Sequence, residues 1–438
     1  MLTIGDDERS NPGSYALRAT PGRYREVVGL STTYDVCVVG AGLVGLAVAD
    51  ALARARPGGS LLVLEKEPTV AAHQSGHNSG VVHSGLYYKP GSLKARLCVE
   101  GRRSVYELCA ESGIPHRVSG KVVIARDRAE LPALDELERR GHANGLLGLR
   151  RIGPEELTDI EPEATGLAAL HVPEAGVADF PAIARHLAKT LEAGGADLVT
   201  GAEVTSITPI VDRVEVVAGD QGYRTKLLVN CAGLHSDRVA GMAGISSKVR
   251  IVPFRGEYYR LREQAAGLVR SLIYPVPDPR FPFLGVHFTR RVDGTVEVGP
   301  NAILALGREH YREASPDWGE VRAVLAHPGF RKLALRHWRS GTAEMLNSRS
   351  TRLYARLARR LVPALRSTDL EPGGAGVRAQ AIDRAGNLVD DFVIEQAGNT
   401  VHILNAPSPG ATASLAIGRH VVEMLGRDFP SIGQPGDV

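Results

Sequence analysis

The chain has 438 residues, 43% of them hydrophobic and 23% charged. It is too long for one compact core, and two or three domains are expected. A net charge of +3 gives no case for nucleic acid or an anionic membrane as partner, and no apolar run approaches the roughly 20 residues that a membrane span needs.

The first 33 residues carry Asp6, Asp7, Glu8, several arginines and two prolines, with no apolar core of the kind a secretory signal has. They read as a flexible or loosely docked leader. Four cysteines follow at Cys37, Cys98, Cys109 and Cys231, none in a CxxC or zinc-like spacing. Cys98 and Cys109 share one expected helix and lie about 16 Å apart along it, too far for a disulfide. All four read as packing residues of a reduced, cytoplasmic protein, with no metal site.

Residues 34–39, YDVCVV, predict a short buried strand. Gly40-Ala41-Gly42-Leu43-Val44-Gly45 comes next, then a helix over 43–55 and a second strand, 60–64, ending at Glu65. GxGxxG alone is weak. Between a strand and a helix, with an acid twenty residues after Gly45, it is the dinucleotide-binding fingerprint. Gly40 permits the tight turn, Gly42 lets a pyrophosphate approach the backbone, and Gly45 lets the helix close on the strand. Glu65 is placed to accept ribose hydroxyls.

A nicotinamide enzyme would continue βαβαβ here. Instead the chain enters HNSGVVHSGLYYKPG, residues 77–91, whose glycines and proline rule out a regular helix. Further on, a strand over 222–230 runs into Cys231-Ala232-Gly233, with a helix expected from Ser236 or Asp237. Near the C-terminus, TVHILNAPSPGATASLAIG repeats strand, small-residue turn and helix from about Ala411. Three separated strand-to-turn elements suit an extended FAD in a discontinuous domain and suit NAD poorly.

Between these points the pattern predicts helices over 92–113, 129–144 and 181–194, a strand over 119–126 and short strands within 197–218. Strands dominate 251–300, with Asp293-Gly294 as a hairpin turn. STRLYARLARRLVPALR, residues 350–366, predicts a basic amphipathic helix with Leu353, Leu357 and Leu361 on one face. It reads first as a surface helix with that face in the core, and a peripheral membrane contact stays open beside it.

GAGLVG with Glu65, VNCAG and NAPSPGATAS resemble the glutathione-reductase-like FAD fold, in the branch of D-amino-acid oxidase and glycine oxidase. HQSGHNSGVVHSGLYYKPGSLKARLC, PFRGEYYRL, YPVPDPRFPFLGVHFTRRVDG, VGPNA, RSGTAEM, GVRAQA and NAPSPGATA resemble the L-2-hydroxyglutarate oxidase/dehydrogenase family over roughly residues 34–430. The resemblance implies an α/β fold: an FAD-binding Rossmann domain (34–117, 171–248 and 366–430) with an interleaved antiparallel-sheet substrate domain (118–170 and 249–365), a leader (1–33) and a tail (431–438). It implies oxidation of L-2-hydroxyglutarate to 2-oxoglutarate by hydride transfer from Cα to flavin N5, the electrons passing to oxygen or a quinone-type acceptor. A related flavin enzyme for another 2-hydroxy or 2-amino acid is the alternative, and a non-catalytic flavoprotein a remote one. The oligomeric state is not legible.

The cofactor set implied is Gly40, Gly42, Leu43, Val44, Gly45, Glu65, Lys66, Ser75, Asn78, Ser79, Gly80, Val204, Ala232, Gly233, Ser408, Gly410, Ala411 and Thr412. In such a fold the polar loop passes alongside the flavin. A dicarboxylate substrate asks for two cationic anchors, and arginine matches a carboxylate with its planar fork. Arg378 occupies the place of the branch's carboxylate-binding arginine. Arg255 is the second choice, and a salt bridge to a loop carboxylate is its equal structural reading. Tyr258, Asn301 and Gln380 are expected polar contacts. His287 and His83 are the candidate bases, His287 preferred for its place on the substrate sheet.

Overall fold

In the computed structural model the described residues are 32–277, 285–301, 303–311, 316–336 and 350–428. Most of the leader, the tail and the RSGTAEM block lie outside them. The strand Thr33–Val39 sits in the middle of a parallel sheet, with Leu61–Leu64 on one side and Gln221–Asn230 on the other. Asp197–Val199 and Thr400–Asn405 extend the parallel order outward. These strands read as nearly unbroken apolar runs because both faces are covered. Leu43–Ala55, Leu93–Glu111, Phe180–Ala193 and Gly410–Asp428 form the helical layer on one face. The other face packs on the antiparallel strands Val204–Pro209 and Val214–Ala218 and the helix Ser236–Met242.

The second sheet is built on two long antiparallel strands. Val249–Leu261 pairs with Leu370–Asp383 along its whole length, from Val249↔Asp383 to Leu261↔Leu370. The hairpin His287–Arg290/Val296–Gly299 turns at Asp293-Gly294 as expected. Leu272–Pro275 runs parallel to Lys121–Ala125, which joins the two sequence segments into one sheet. A small third sheet of Val81–Val82, Gly176–Ala178 and His116–Arg117 lies beside helix Leu93–Glu111.

The helix over 43–55 occurs as expected, and the other expected helices before residue 195 agree to within about two residues. Residues 370–383, expected in the cofactor domain, form a strand of the second sheet. The helix expected over 350–366 stops at Ala358. Its buried residues are Tyr354, Ala355 and Ala358, while Leu353 is exposed and Leu361 lies past the end, buried with Val362 and Leu365. The core side is thus not the leucine stripe: Leu353 is exposed and Leu357 half-buried. Among the described residues no helix is long and apolar enough to cross a membrane. All four cysteines are free and buried.

Candidate active site

The first half of the site is the groove at the C-terminal end of the parallel sheet, where an α/β fold places its ligands. Gly40 has φ +102°, a conformation open to glycine. A Cβ on Gly45 would stand 1.8 Å from the Gly40 carbonyl oxygen, so the helix closes on the turn only because that side chain is missing. At Gly42 the space ahead is open: a Cβ there would meet only Ser75 Oγ, at 3.1 Å. No side chain caps the helix at Gly42. Ser75 Oγ accepts from the Leu43 amide at 2.9 Å, which ties the polar loop to the helix N-terminus. This end of a helix favours an anion.

Glu65 closes the second strand, 8% exposed. Its carboxylate accepts from the Ala41 amide at 2.8 Å and the Glu67 amide at 2.9 Å. It therefore holds the turn in place and still has lone pairs for a ribose. Gly40, Gly42, Val44, Glu65, Lys66, Ser75, Val204, Ala232 and Gly233 all line one continuous groove. Gly45 packs the helix, and Leu43 is buried and contributes its amide. Lys66 is engaged by Glu67 (2.5 Å) and Glu309 (2.6 Å) at the mouth. The side-chain-free Gly42 face, the helix N-terminus and the buried acid fit the adenosine and pyrophosphate of a dinucleotide.

The second half lies where three parts of the chain meet: the polar loop, the second sheet and the start of helix Gly410–Asp428. Thr412 Oγ1 accepts from the His83 amide at 3.0 Å, and Ser408 Oγ lies 3.3 Å from His83 Nε2. Gly410 and Ala411 begin the helix between them. His83 Nδ1 is buried with no hydrogen-bond partner among the described residues. His287 is 5% exposed and stacks on Tyr274, with ring centroids 4.0 Å apart. Its Nδ1 lies 2.9 Å from the Gly285 carbonyl oxygen. Only an N–H donates to a carbonyl, so Nε2 is left as the acceptor. Burial pushes His287 down to about 3, with the charges of Arg378 and Lys121 adding to the drop. Burial lowers His83 too, and Lys121, His287 and Arg378 act in the same direction. Both imidazoles are neutral at pH 7.

Arg378 lies opposite Phe254 in the strand pair; its charge acts on the Tyr258 phenol, which burial nonetheless holds above its ordinary value. No carboxylate pairs with Arg378 among the described residues.

Other expected site residues are occupied by the protein itself. Arg255, 9% exposed, lies 3.5 Å from Glu257 and donates to the His310 carbonyl. Glu257 lies two residues further along the same strand, so this contact is not the bridge to a loop carboxylate weighed from the sequence. Asn301 accepts from the Glu257 amide at 2.7 Å. Gln380 donates to the Ala381 and Val389 carbonyls. Asn78 bonds its own loop, at the carbonyls of Gln74 and Ser75 and the amide of Gly80. Ser79 and Gly80 continue that turn outside the groove. The residue that sequence reasoning passed over is Lys121, buried beside this cluster. The available signal was a lysine at the start of KVVIA, an apolar run of the kind covered on both faces.

Residues 35–424 match the family described as FAD dependent oxidoreductase. The chain is 46% identical to an L-2-hydroxyglutarate dehydrogenase of Indibacter alkaliphilus, over 90% of this chain and 100% of that one. It is 41% identical to the human mitochondrial L-2-hydroxyglutarate dehydrogenase, over 91% of this chain and 90% of that one. In fold it is similar to the FAD-bound L-alpha-glycerophosphate oxidase of Mycoplasma pneumoniae, with a TM-score of 0.74 at 24% identity over 90% and 95% of the two chains. Glycine oxidase of Geobacillus kaustophilus gives 0.67 at 17% over 93% and 100%. The chain belongs to the FAD dependent oxidoreductases and, among them, to the family of the L-2-hydroxyglutarate dehydrogenases.

Proposed function

We propose that this protein oxidises L-2-hydroxyglutarate to 2-oxoglutarate, with FAD lying along the groove and its reactive end beside the polar loop. The observation that carries the substrate is the likeness, at 40% identity or more, to L-2-hydroxyglutarate dehydrogenases over nine-tenths of the chain. When bound, FAD supplies the two-electron acceptor for the hydrogen on the hydroxyl-bearing carbon. The rest falls to the protein's own residues.

Arg378 holds the carboxylate beside that carbon. With no carboxylate paired to it among the described residues, Arg378 presents both prongs of its fork to the substrate. His287 takes the hydroxyl proton at Nε2. Its other nitrogen is committed to Gly285 and its ring is clamped on Tyr274, so tautomer and orientation are fixed before substrate arrives. His287 is kept neutral by burial and by two nearby cations. A bound dianion offsets those cations, which raises the basicity of the imidazole only when substrate is present. His83, tied to Ser408 and Thr412, positions the loop against the start of the last helix.

The test is steady-state turnover with an artificial electron acceptor and a chemical assay of the product. L-2-hydroxyglutarate should give 2-oxoglutarate one for one with reduced acceptor. Turnover of only a 2-amino acid or a monocarboxylate would overturn the substrate assignment.

A further inference from the structure

Lys121 opens the strand Lys121–Ala125 and is 1% exposed. Lysine is almost never fully buried without a partner, because removing an ammonium from water is costly. Its Nζ has no hydrogen-bond partner among the described residues. The nearest compensation is two aromatic faces: the ammonium lies 4.6 Å from the Tyr87 ring centroid and 5.0 Å from that of Tyr274. Ring faces offset only part of the loss of water. Burial lowers Lys121 to about 8, so at neutral pH it still carries its proton. A charged, dry lysine with no counter-ion among the described residues is therefore kept in the core.

Its surroundings say what completes it. The Tyr87 hydroxyl and His83 Nδ1 are also buried without hydrogen-bond partners. Tyr274, under the ammonium, is the ring on which His287 stacks. The charges of Lys121 and Arg378 both act on His83 and His287. Two cations thus flank the pair of imidazoles, and among the described residues no carboxylate pairs with either. The other cation expected to anchor substrate, Arg255, is engaged by Glu257 and the His310 carbonyl.

We propose that Lys121 receives the second carboxylate of the substrate, while Arg378 holds the first, and that Lys121 is what makes the site select dicarboxylates. This rests on the reading of the site as one that oxidises a 2-hydroxy dicarboxylate. A substrate ending in a methyl group leaves the ammonium buried and unpaired, and a site with an unpaired polar group rejects such an analogue strongly.

The experiment compares L-2-hydroxyglutarate with L-2-hydroxypentanoate, which carries a methyl group in place of the distal carboxylate, in the FAD-loaded wild type, Lys121→Met and Arg378→Met. Wild type should prefer the dicarboxylate by roughly 10³-fold or more in kcat/KM. Lys121→Met should bring that preference below about thirtyfold, chiefly by losing the dicarboxylate. Arg378→Met should lower both substrates alike. Lys121→Gln serves as a second variant should Lys121→Met load FAD poorly. A preference unchanged in a folded, FAD-loaded Lys121 variant would overturn the proposal, as would equal loss of both substrates.

Titration with glutarate, followed as a perturbation of the flavin absorbance, separates this proposal from the substrate assignment. If wild type binds glutarate at least tenfold tighter than Lys121→Met but does not oxidise L-2-hydroxyglutarate, the anchor stands and the substrate reading falls. If wild type oxidises L-2-hydroxyglutarate and both proteins bind glutarate equally, the anchor falls and the substrate reading stands.

Discussion

Replacing Lys121 by methionine is expected to stabilise the FAD-loaded, substrate-free protein while damaging its function. Burial takes Lys121 from 10.5 to about 8. Because the folded-state value is the lower one, the cost of keeping the ammonium dry is fully present below pH 8. It fades as pH rises from 8 toward 10.5, where the unfolded chain loses the same proton. The gap is worth about 3 kcal/mol at pH 7. Methionine is close in length and removes that cost, but it also removes the contacts of the ammonium with Tyr87 and Tyr274, worth about 1–2 kcal/mol. A net gain of about 1–2 kcal/mol remains at pH 7. The neighbours do not blur the comparison: burial raises the Tyr87 and Tyr274 phenols and takes the Cys98 thiol up to about 12, so all three stay neutral over this range. The assay is thermal unfolding of FAD-loaded wild type and Lys121→Met at pH 7 and pH 10. The variant should melt higher at pH 7, and its advantage should shrink at pH 10. A variant that retains FAD yet melts lower than wild type at pH 7 would refute the reasoning, since Lys121 would then be a satisfied structural cation.

Other consequences follow from the same geometry. Gly42→Val should abolish FAD binding yet leave the apoprotein folded, because a Cβ at this position meets only Ser75 Oγ. Gly45→Ala should lower the melting temperature of the apoprotein itself, because its Cβ meets the Gly40 carbonyl; flavin absorbance and unfolding curves distinguish the two. Arg378→Lys keeps the charge and loses the fork, and should cost on the order of 2–3 kcal/mol, about 30- to 150-fold in kcat/KM, with FAD content and melting temperature near wild type. His287→Gln should lower kcat by about 10²–10⁴-fold, the usual worth of a positioned general base, with glutarate affinity little changed. In the wild type, kcat/KM for the dicarboxylate should fall as pH rises above about 8, where Lys121 loses its charge, with no acid limb from His287 between pH 7 and 5. The Lys121→Met profile should lack that alkaline fall.

The nucleotide half was legible because its signals are local. A β-branched run, a glycine turn and a helical period follow one another within 35 residues, and the 43–55 helix needs no distant partner to be recognised. The strand Leu370–Asp383 was not legible for the opposite reason. Pro372, Gly373, Gly374 and Gly376 make it read as loop, and it is extended because Val249–Leu261, more than a hundred residues earlier, pairs with it throughout. In the helix at 351–358, spacing favoured a leucine stripe, but the sheet packs on Tyr354, Ala355 and Ala358. Asn78, Asn301 and Gln380 have the right chemistry for ligand contacts and spend it on the backbone around them. Sequence shows that a residue can bond, not whether its neighbours have already taken it. Lys121 is the converse case: a residue type that reads as surface, placed in a strand whose neighbours are all buried.

Anaerobic mixing of the FAD-loaded protein with each enantiomer of 2-hydroxyglutarate, followed at the flavin absorbance band, tests the central claim most directly. The L-enantiomer should bleach the band within the turnover time, more slowly when deuterium replaces the hydrogen on the hydroxyl-bearing carbon, and the quenched mixture should contain one 2-oxoglutarate per flavin. Bleaching by the D-enantiomer alone, or a band that neither enantiomer changes, would contradict it.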